Sequence, residues 1–189
     1  ALTARYKAQL PALFEGPDEL AVLPEIEKLA AASPAAAAEP QEPNPEDREK
    51  VMRESLRVLK PGGLFYLAYI NKHFIFALLA SQNKQYLQEK WYQRIIEQGV
   101  MYSTDEDCFW TDTWFTTPGE IEKLAERYRL KKLNHVAQDG VGRLLADEIN
   151  SMRPEYYKRW AEYHIRTCEE PSILGISNHG LYIGRKNSD

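Results

Sequence analysis

The stretch Arg57-Val58-Leu59-Lys60-Pro61-Gly62-Gly63-Leu64-Phe65-Tyr66-Leu67-Ala68-Tyr69-Ile70 closes a helix, turns on two glycines and runs at once into a strand. Upstream of it, Val51, Met52, Ser55, Leu56 and Leu59 recur at spacings of three and four, the mark of a helix with one apolar face. Asn44 is a good N-cap for that helix, Pro45 suits its first position, and Glu46 and Asp47 complement its positive end. Lys60-Pro61-Gly62-Gly63 stops it. Leu64 to Ile70 is an unbroken apolar run, which predicts a strand covered on both faces.

Two further strands are expected downstream, Lys131 to Ala137 after a helix from Pro118 to Tyr128, and His179 to Arg185 near the C-terminus. Between the first and second strands runs a long excursion over residues 71–117. It carries an aromatic-rich helix with Tyr86, Trp91, Tyr92, Ile95 and Ile96. Ala146 to Thr167 is expected to be helical and broken at Pro154. Composition changes near residue 44: Leu29 to Pro45 is rich in Ala, Pro and Glu, has no bulky apolar side chain after Leu29, and reads as an extended linker. Before it, Leu2 to Leu13 and Asp18 to Ala31 have helical spacing on either side of Gly16-Pro17. The organisation expected is therefore N-terminal helices and linker over 1–45, then an α/β domain over 46–189.

Composition limits function. The 189 residues are 43% hydrophobic and 11% aromatic, enough for a packed core. Twenty-four Lys and Arg against 28 Asp and Glu leave a net charge of -4, with no basic field for nucleic acid. The longest apolar runs are far shorter than the roughly 20 residues of a membrane span, so no membrane partner is expected. Cys108 and Cys168 lack the spacing of a zinc or redox pair and read as reduced thiols, which fits the cytoplasm.

Chemistry-bearing residues gather in the excursion: Tyr102, Asp105, Glu106, Asp107, Cys108, Phe109, Trp110, Asp112 and Trp114. Carboxylates among indoles suit a bound amine or another small acceptor, through charge and cation-π contact; an aromatic core piece with solvated acids is the plainer reading. Asp105, Asp107 and Asp112 lack the glycine and terminal Glu of a calcium loop, so no metal is expected. His135 reads first as a hydrogen-bonded strand histidine.

The order DREKVMRESLRVLKPGGLFYLAYIN, then a helical excursion, then DCFWTDTWFTTPGEIEKLAERYRLKKLNHVAQDG, then EEPSILGISNHGLYIGRK resembles the C-terminal half of class I S-adenosylmethionine-dependent methyltransferases, from about Asn44 to Lys186. The resemblance implies a partial Rossmann-like α/β fold. The strands at 64–70, 131–137 and 179–185 would be the family's fifth, sixth and seventh, with the seventh antiparallel and between the other two. It also places Asn178 and His179 at the rim of the family's active site. Together with Tyr102, Asp107, Trp110 and Trp114 they are the expected substrate-binding residues; no catalytic or cofactor-binding residue is assigned.

That family holds S-adenosylmethionine through a glycine-rich turn after its first strand, and this sequence has no GxGxG anywhere. Two functions follow: a methyltransferase-like domain acting on a small acceptor, or a noncatalytic, shortened α/β scaffold that has lost the cofactor. Without the family's fourth strand, one edge of Leu64 to Ile70 would stand open. Pairing of two such edges in a homodimer is expected, with the N-terminal helices as the alternative cover.

Overall fold

A computed structural model describes residues 45–105, 108 and 112–188. The chain divides into the units Ala1–Ala36 and Ala37–Asp189, and the described residues belong to the second. The expected N-terminal helices, the linker and the Asn44 cap lie outside them.

Helix α1 (Pro45–Val58) ends where the apolar stripe ends, and Leu59 to Gly63 turn the chain into strand β1 (Leu64–Asn71). Gly62 has φ +74°, a left-handed conformation that side chains disfavour, and its amide donates to the Lys186 carbonyl at 3.0 Å. The Lys186 ammonium donates to the Leu56 and Leu59 carbonyls at 2.6 and 2.8 Å. The two-glycine turn thus ties the end of one helix to the last strand of the sheet, with a cation on the helix's negative end.

After β1 come α2 (Lys72–Gln82), a 3-10 turn (Lys84–Leu87), one helical turn (Glu89–Trp91) and a π-helical segment (Tyr92–Gln98). Strands β2 (Val100–Met101) and β3 (Thr113–Thr116) follow, then α3 (Pro118–Arg127) and β4 (Leu130–Ala137). The chain continues through α4 (Ala146–Ser151), α5 (Pro154–Thr167), α6 (Pro171–Gly175) and β5 (His179–Lys186). The helical break at Pro154 and the three long strands stand where the sequence places them.

The result is a mixed α/β fold on one five-stranded sheet, ordered β2-β3-β1-β5-β4. β5 lies between β1 and β4 and is antiparallel to both, with Ala68 opposite Leu181 and Val136 opposite the same residue on the other side. The expected arrangement of these three strands is therefore present. Two expectations need correction. The excursion is more than helical, because β2 and β3 form within it. β3 pairs parallel with the carboxyl end of β1, at Ile70 with Phe115 and Asn71 with Thr116. The edge expected to stand open is thus closed at its last two residues; among the described residues no strand pairs it from 64 to 69.

The second correction concerns coverage of β1. Phe65, Leu67, Tyr69 and Asn71 are buried, while Leu64, Tyr66, Ala68 and Ile70 are half-buried. On the fully covered face, Met52 of α1, Leu59 just after it, and Ile121, Leu124 and Ala125 of α3 pack against Phe65, Leu67, Tyr69, Leu130 and Tyr182. A second cluster joins α2 (Phe74, Ile75, Leu78, Leu79) to Trp91, Ile95, Met101 and Phe115 of the excursion. The aromatic-rich segment is therefore a core piece, with Trp91 and Ile95 turned inward.

Thr117 opens α3 with a reciprocal cap: the Glu120 amide donates to its hydroxyl, and the Thr117 amide donates to the Glu120 carboxylate at 2.8 Å. That cap aims Glu120 back toward the carboxyl ends of β1 and β3.

Candidate functional site at the carboxyl end of β1

Asn71 closes β1 and is almost wholly buried. Its carbonyl oxygen Oδ1 accepts from the His73 amide at 3.1 Å and caps α2, its Nδ2 donates to the Gly175 carbonyl at 2.8 Å, and its backbone amide donates to the Asn178 carbonyl at 2.8 Å. One asparagine therefore holds the start of α2 and the approach to β5 together. The expected pair Asn178 and His179 is positioned by this knot.

The antiparallel pairing of β4 and β5 brings the Gln138 amide to the His179 carbonyl at 3.0 Å, which sets Asp139 beside the His179 ring. The ring Nδ1 and Asp139 Oδ2 are 2.8 Å apart; the His179 amide donates to Asp139 Oδ1 at 3.0 Å, and the Ser177 hydroxyl donates to the same oxygen at 2.6 Å. Burial pushes the Asp139 carboxyl up, but these hydrogen bonds together outweigh it and hold the acid below its usual range. An ionised Asp139 fixes the proton on Nδ1 and leaves the lone pair on Nε2.

The Asn178 amide nitrogen lies 3.2 Å from Nδ1 and 3.3 Å from Nε2. A donor equidistant from both ring nitrogens cannot lie along the Nε2 lone pair, so that lone pair stays available. The His179 side chain is 42% exposed, and its open acceptor can be reached. Asn178 is 4% exposed, and its Oδ1 is buried with no hydrogen-bond partner. The ring of His179 thus offers an acceptor to a group with hydrogen to donate, beside an asparagine whose carbonyl is buried without a partner.

The aromatic candidates lie elsewhere. Trp114 is on β3 and carries the Arg48 guanidinium 4.2 Å from its ring centroid. Tyr102 carries Arg94 at 5.0 Å. One face of each ring thus already holds a cation of the protein itself. The described acids of the excursion bind their own loop: Asp105 accepts from the Tyr102 amide at 2.8 Å and pairs with Arg94, and Asp112 accepts from the Ser103 amide at 2.6 Å. Asp107 and Trp110 lie outside the described residues. Among the described residues no group of His, Cys, Asp and Glu could hold a metal, and no helix is long and apolar enough to cross a membrane.

His135 is a core residue. It is 3% exposed, with Nε2 2.9 Å from the Tyr69 hydroxyl and Nδ1 3.0 Å from Glu122 Oε1. Burial lowers its pKa, against the raising pull of Glu122. The neutral ring donates from Nδ1 to Glu122 and accepts from Tyr69 at Nε2. Lys132, beside Glu122, and the Tyr182 ring complete its surroundings.

A folded-state pKa below the unfolded value means that the unfolded chain takes up the proton first. Stability is therefore expected to be intact above about pH 6.5, the ordinary histidine value, and to fall as pH drops through and below it. Thermal melts at pH 7.5 and pH 5.5 should show a drop in wild type that shrinks in His135→Gln. An equal drop in both would refute the assignment.

Two site residues were missed in the sequence. Asp139 stands 40 positions before His179, and only the strand register joins them. Arg48 had a signal: it lies four residues before Met52 on the apolar stripe, a cation in the first turn of a helix, where the dipole disfavours it.

No protein-family model matches this chain, and no curated protein matches it. Among solved structures, the chain is similar to a SAM-dependent methyltransferase from Methanosarcina mazei, with a TM-score of 0.44 and 19% sequence identity. The alignment covers 78% of this chain and 54% of that one, so the chain spans about half the length of the solved protein.

Proposed function

We propose that this chain is a methyltransferase-like domain that binds a small acceptor molecule through an N–H or O–H group at Asn178 and His179. The observation that carries the reading is the part-exposed His179 ring, held at Nδ1 by Asp139 at 2.8 Å and flanked by the buried Asn178. An amine or hydroxyl would donate to His179 Nε2 while Asp139 holds the opposite nitrogen of the ring. The location, beyond the carboxyl end of a central strand, is where ligands of open α/β sheets bind. Sequence resemblance supplies the name of the reaction class: the motifs from Asn44 to Lys186 run in the order found in S-adenosylmethionine-dependent methyltransferases.

The described residues do not fit that cofactor. A donor seat needs several glycines gathered at one turn; here Gly119 and Gly175 face open space but stand singly in the sequence, and three others are closed off by the chain itself. A Cβ on Gly63 would strike Leu59 at 2.7 Å, one on Gly99 the Phe115 carbonyl at 2.6 Å, and one on Gly142 the Asp139 carbonyl at 2.8 Å. No methyl-transfer step is therefore derived.

Calorimetric titration with S-adenosylmethionine and S-adenosylhomocysteine is expected to show binding weaker than micromolar. A micromolar or tighter constant would overturn the noncatalytic side of this reading and restore a complete methyltransferase.

A further inference from the structure

A concavity lies between α1, the end of the π-helical segment, β3 and the first turns of α3. Its volume is about 440 Å³, in the range of small-molecule sites. Trp114, Phe115 and Leu124 give it an apolar wall, while Arg48, Lys72, Lys123 and Arg127 face it together with Glu49, Glu97 and Glu120. Four cations against three carboxylates leave one positive charge in excess.

Two of the carboxylates are paired with Arg127 and Lys72, which leaves Arg48, Lys123 and Glu97 outside those pairs. Glu49 Oε1 is held by Arg127 at 2.6 Å, and its other oxygen receives the Tyr128 hydroxyl. Glu120 is held by Lys72 at 3.0 Å, by the Thr116 hydroxyl at 3.0 Å and by the Thr117 amide at 2.8 Å. Both carboxylates whose fields reach Arg48 are thus bonded to other groups. Arg48 lies over the Trp114 indole, and its Nε is buried without a partner. Burial opposes its charge, and only part of that cost is offset by Glu49 and Glu120 at a distance.

We propose that this cleft binds a small organic carboxylate, its anion paired with Arg48 and its apolar body lying along Trp114 and Leu124. A guanidinium forks onto a carboxylate with two parallel hydrogen bonds, which gives the incompletely bonded cation a partner of matching shape and charge. One negative charge balances the excess. A phosphate, with more charge and no apolar body, would be repelled by Glu49 and Glu120 and would leave the indole wall uncovered. This site is separate from the Asn178 and His179 pair and does not depend on it.

Benzoate is the probe, with benzyl alcohol as its uncharged counterpart and inorganic phosphate as the bare anion. The readout is the indole N–H resonance of Trp114 in 1H-15N spectra, identified by its loss in Trp114→Phe. Benzoate is expected to shift it saturably with millimolar affinity, and benzyl alcohol to bind about tenfold more weakly. Arg48→Gln should weaken benzoate binding about tenfold, and Lys123→Glu, a charge reversal at an exposed rim position, should weaken it severalfold without disturbing the fold. Three results would overturn the proposal: no saturable shift by about 50 mM benzoate, a constant that fails ever to reach useful affinity; equal binding of benzyl alcohol; or displacement of benzoate by phosphate. Should Arg48→Gln fail to fold, Lys123→Glu decides, and benzoate affinity unchanged in it would count against the site.

Discussion

Gly180→Ala is expected to cost about 4 kcal/mol of stability, the sum of an overpacked core and a lost buried hydrogen bond. The Tyr69 side chain leaves β1, crosses over Gly180 on β5 and reaches His135 on β4. A Cβ at position 180 would lie 2.2 Å from Tyr69 Cζ and 2.3 Å from its hydroxyl oxygen. Gly180 is paired in the centre of the sheet, opposite Tyr69 on one side and Ala137 on the other, so its backbone cannot withdraw. The ring must move instead, and it is 4% exposed with its hydroxyl 2.9 Å from His135 Nε2. Displacing it strands a buried histidine acceptor. Urea unfolding measures the loss, and a variant within about 1 kcal/mol of wild type would refute the mechanism. Tyr69→Leu removes the obstructing ring, so the double variant should be less destabilised than the two single changes added together, by about 2 kcal/mol.

Phe115→Ala should be comparably severe, at about 3–5 kcal/mol. Phe115 is 1% exposed and sits in the cluster with Ile95, Trp91, Met101 and the α2 side chains, where truncation leaves a cavity that backbone on both sides prevents from closing. It also does what no helix residue there does: its strand is short, and it pairs with Ile70 while its amide donates to the Gly99 carbonyl at 2.7 Å. Loss of the ring should therefore also speed hydrogen exchange at the Phe115 amide relative to amides of the β1–β5 ladder. Leu87→Ala is the control. That residue is 61% exposed, and its change should cost less than about 0.5 kcal/mol. Equal costs for the two would contradict the packing described.

The segment that carries Phe115 shows how local signals were outweighed. Thr113-Trp114-Phe115-Thr116 is β-branched and aromatic throughout, and Thr117-Pro118-Gly119-Glu120 has the spacing of a capping box. Both signals were present, but a run of four residues is too short to separate a strand from a core loop by pattern. Its partners decide that. β3 exists because Ile70 and Asn71 offer it an edge, and β2 exists because β3 offers another.

The same contrast runs through the candidate sites. Asn178 and His179 are singled out in the sequence because they stand at the start of a strand in a motif with a family resemblance. Their chemistry is not legible there, since it depends on Asp139 and on an asparagine carbonyl that finds no partner once the chain has folded. His135 and His179 both fall in strands in the sequence. Burial makes the first a neutral link between Tyr69 and Glu122, and exposure leaves the second with an open nitrogen.

What the sequence determined by itself was local and periodic. The helical stripe of α1, the stop at Lys60-Pro61-Gly62-Gly63, the break at Pro154 and the apolar strands all follow from backbone preferences and side-chain spacing, which act over a few residues. Tertiary structure alone decided which acid meets which histidine, which face of β1 is fully covered, and where an arginine is left on an indole without a full set of partners. Those outcomes join residues 13 to more than 100 positions apart, and no local preference encodes a hydrogen bond whose two ends are brought together only by strand register and helix packing.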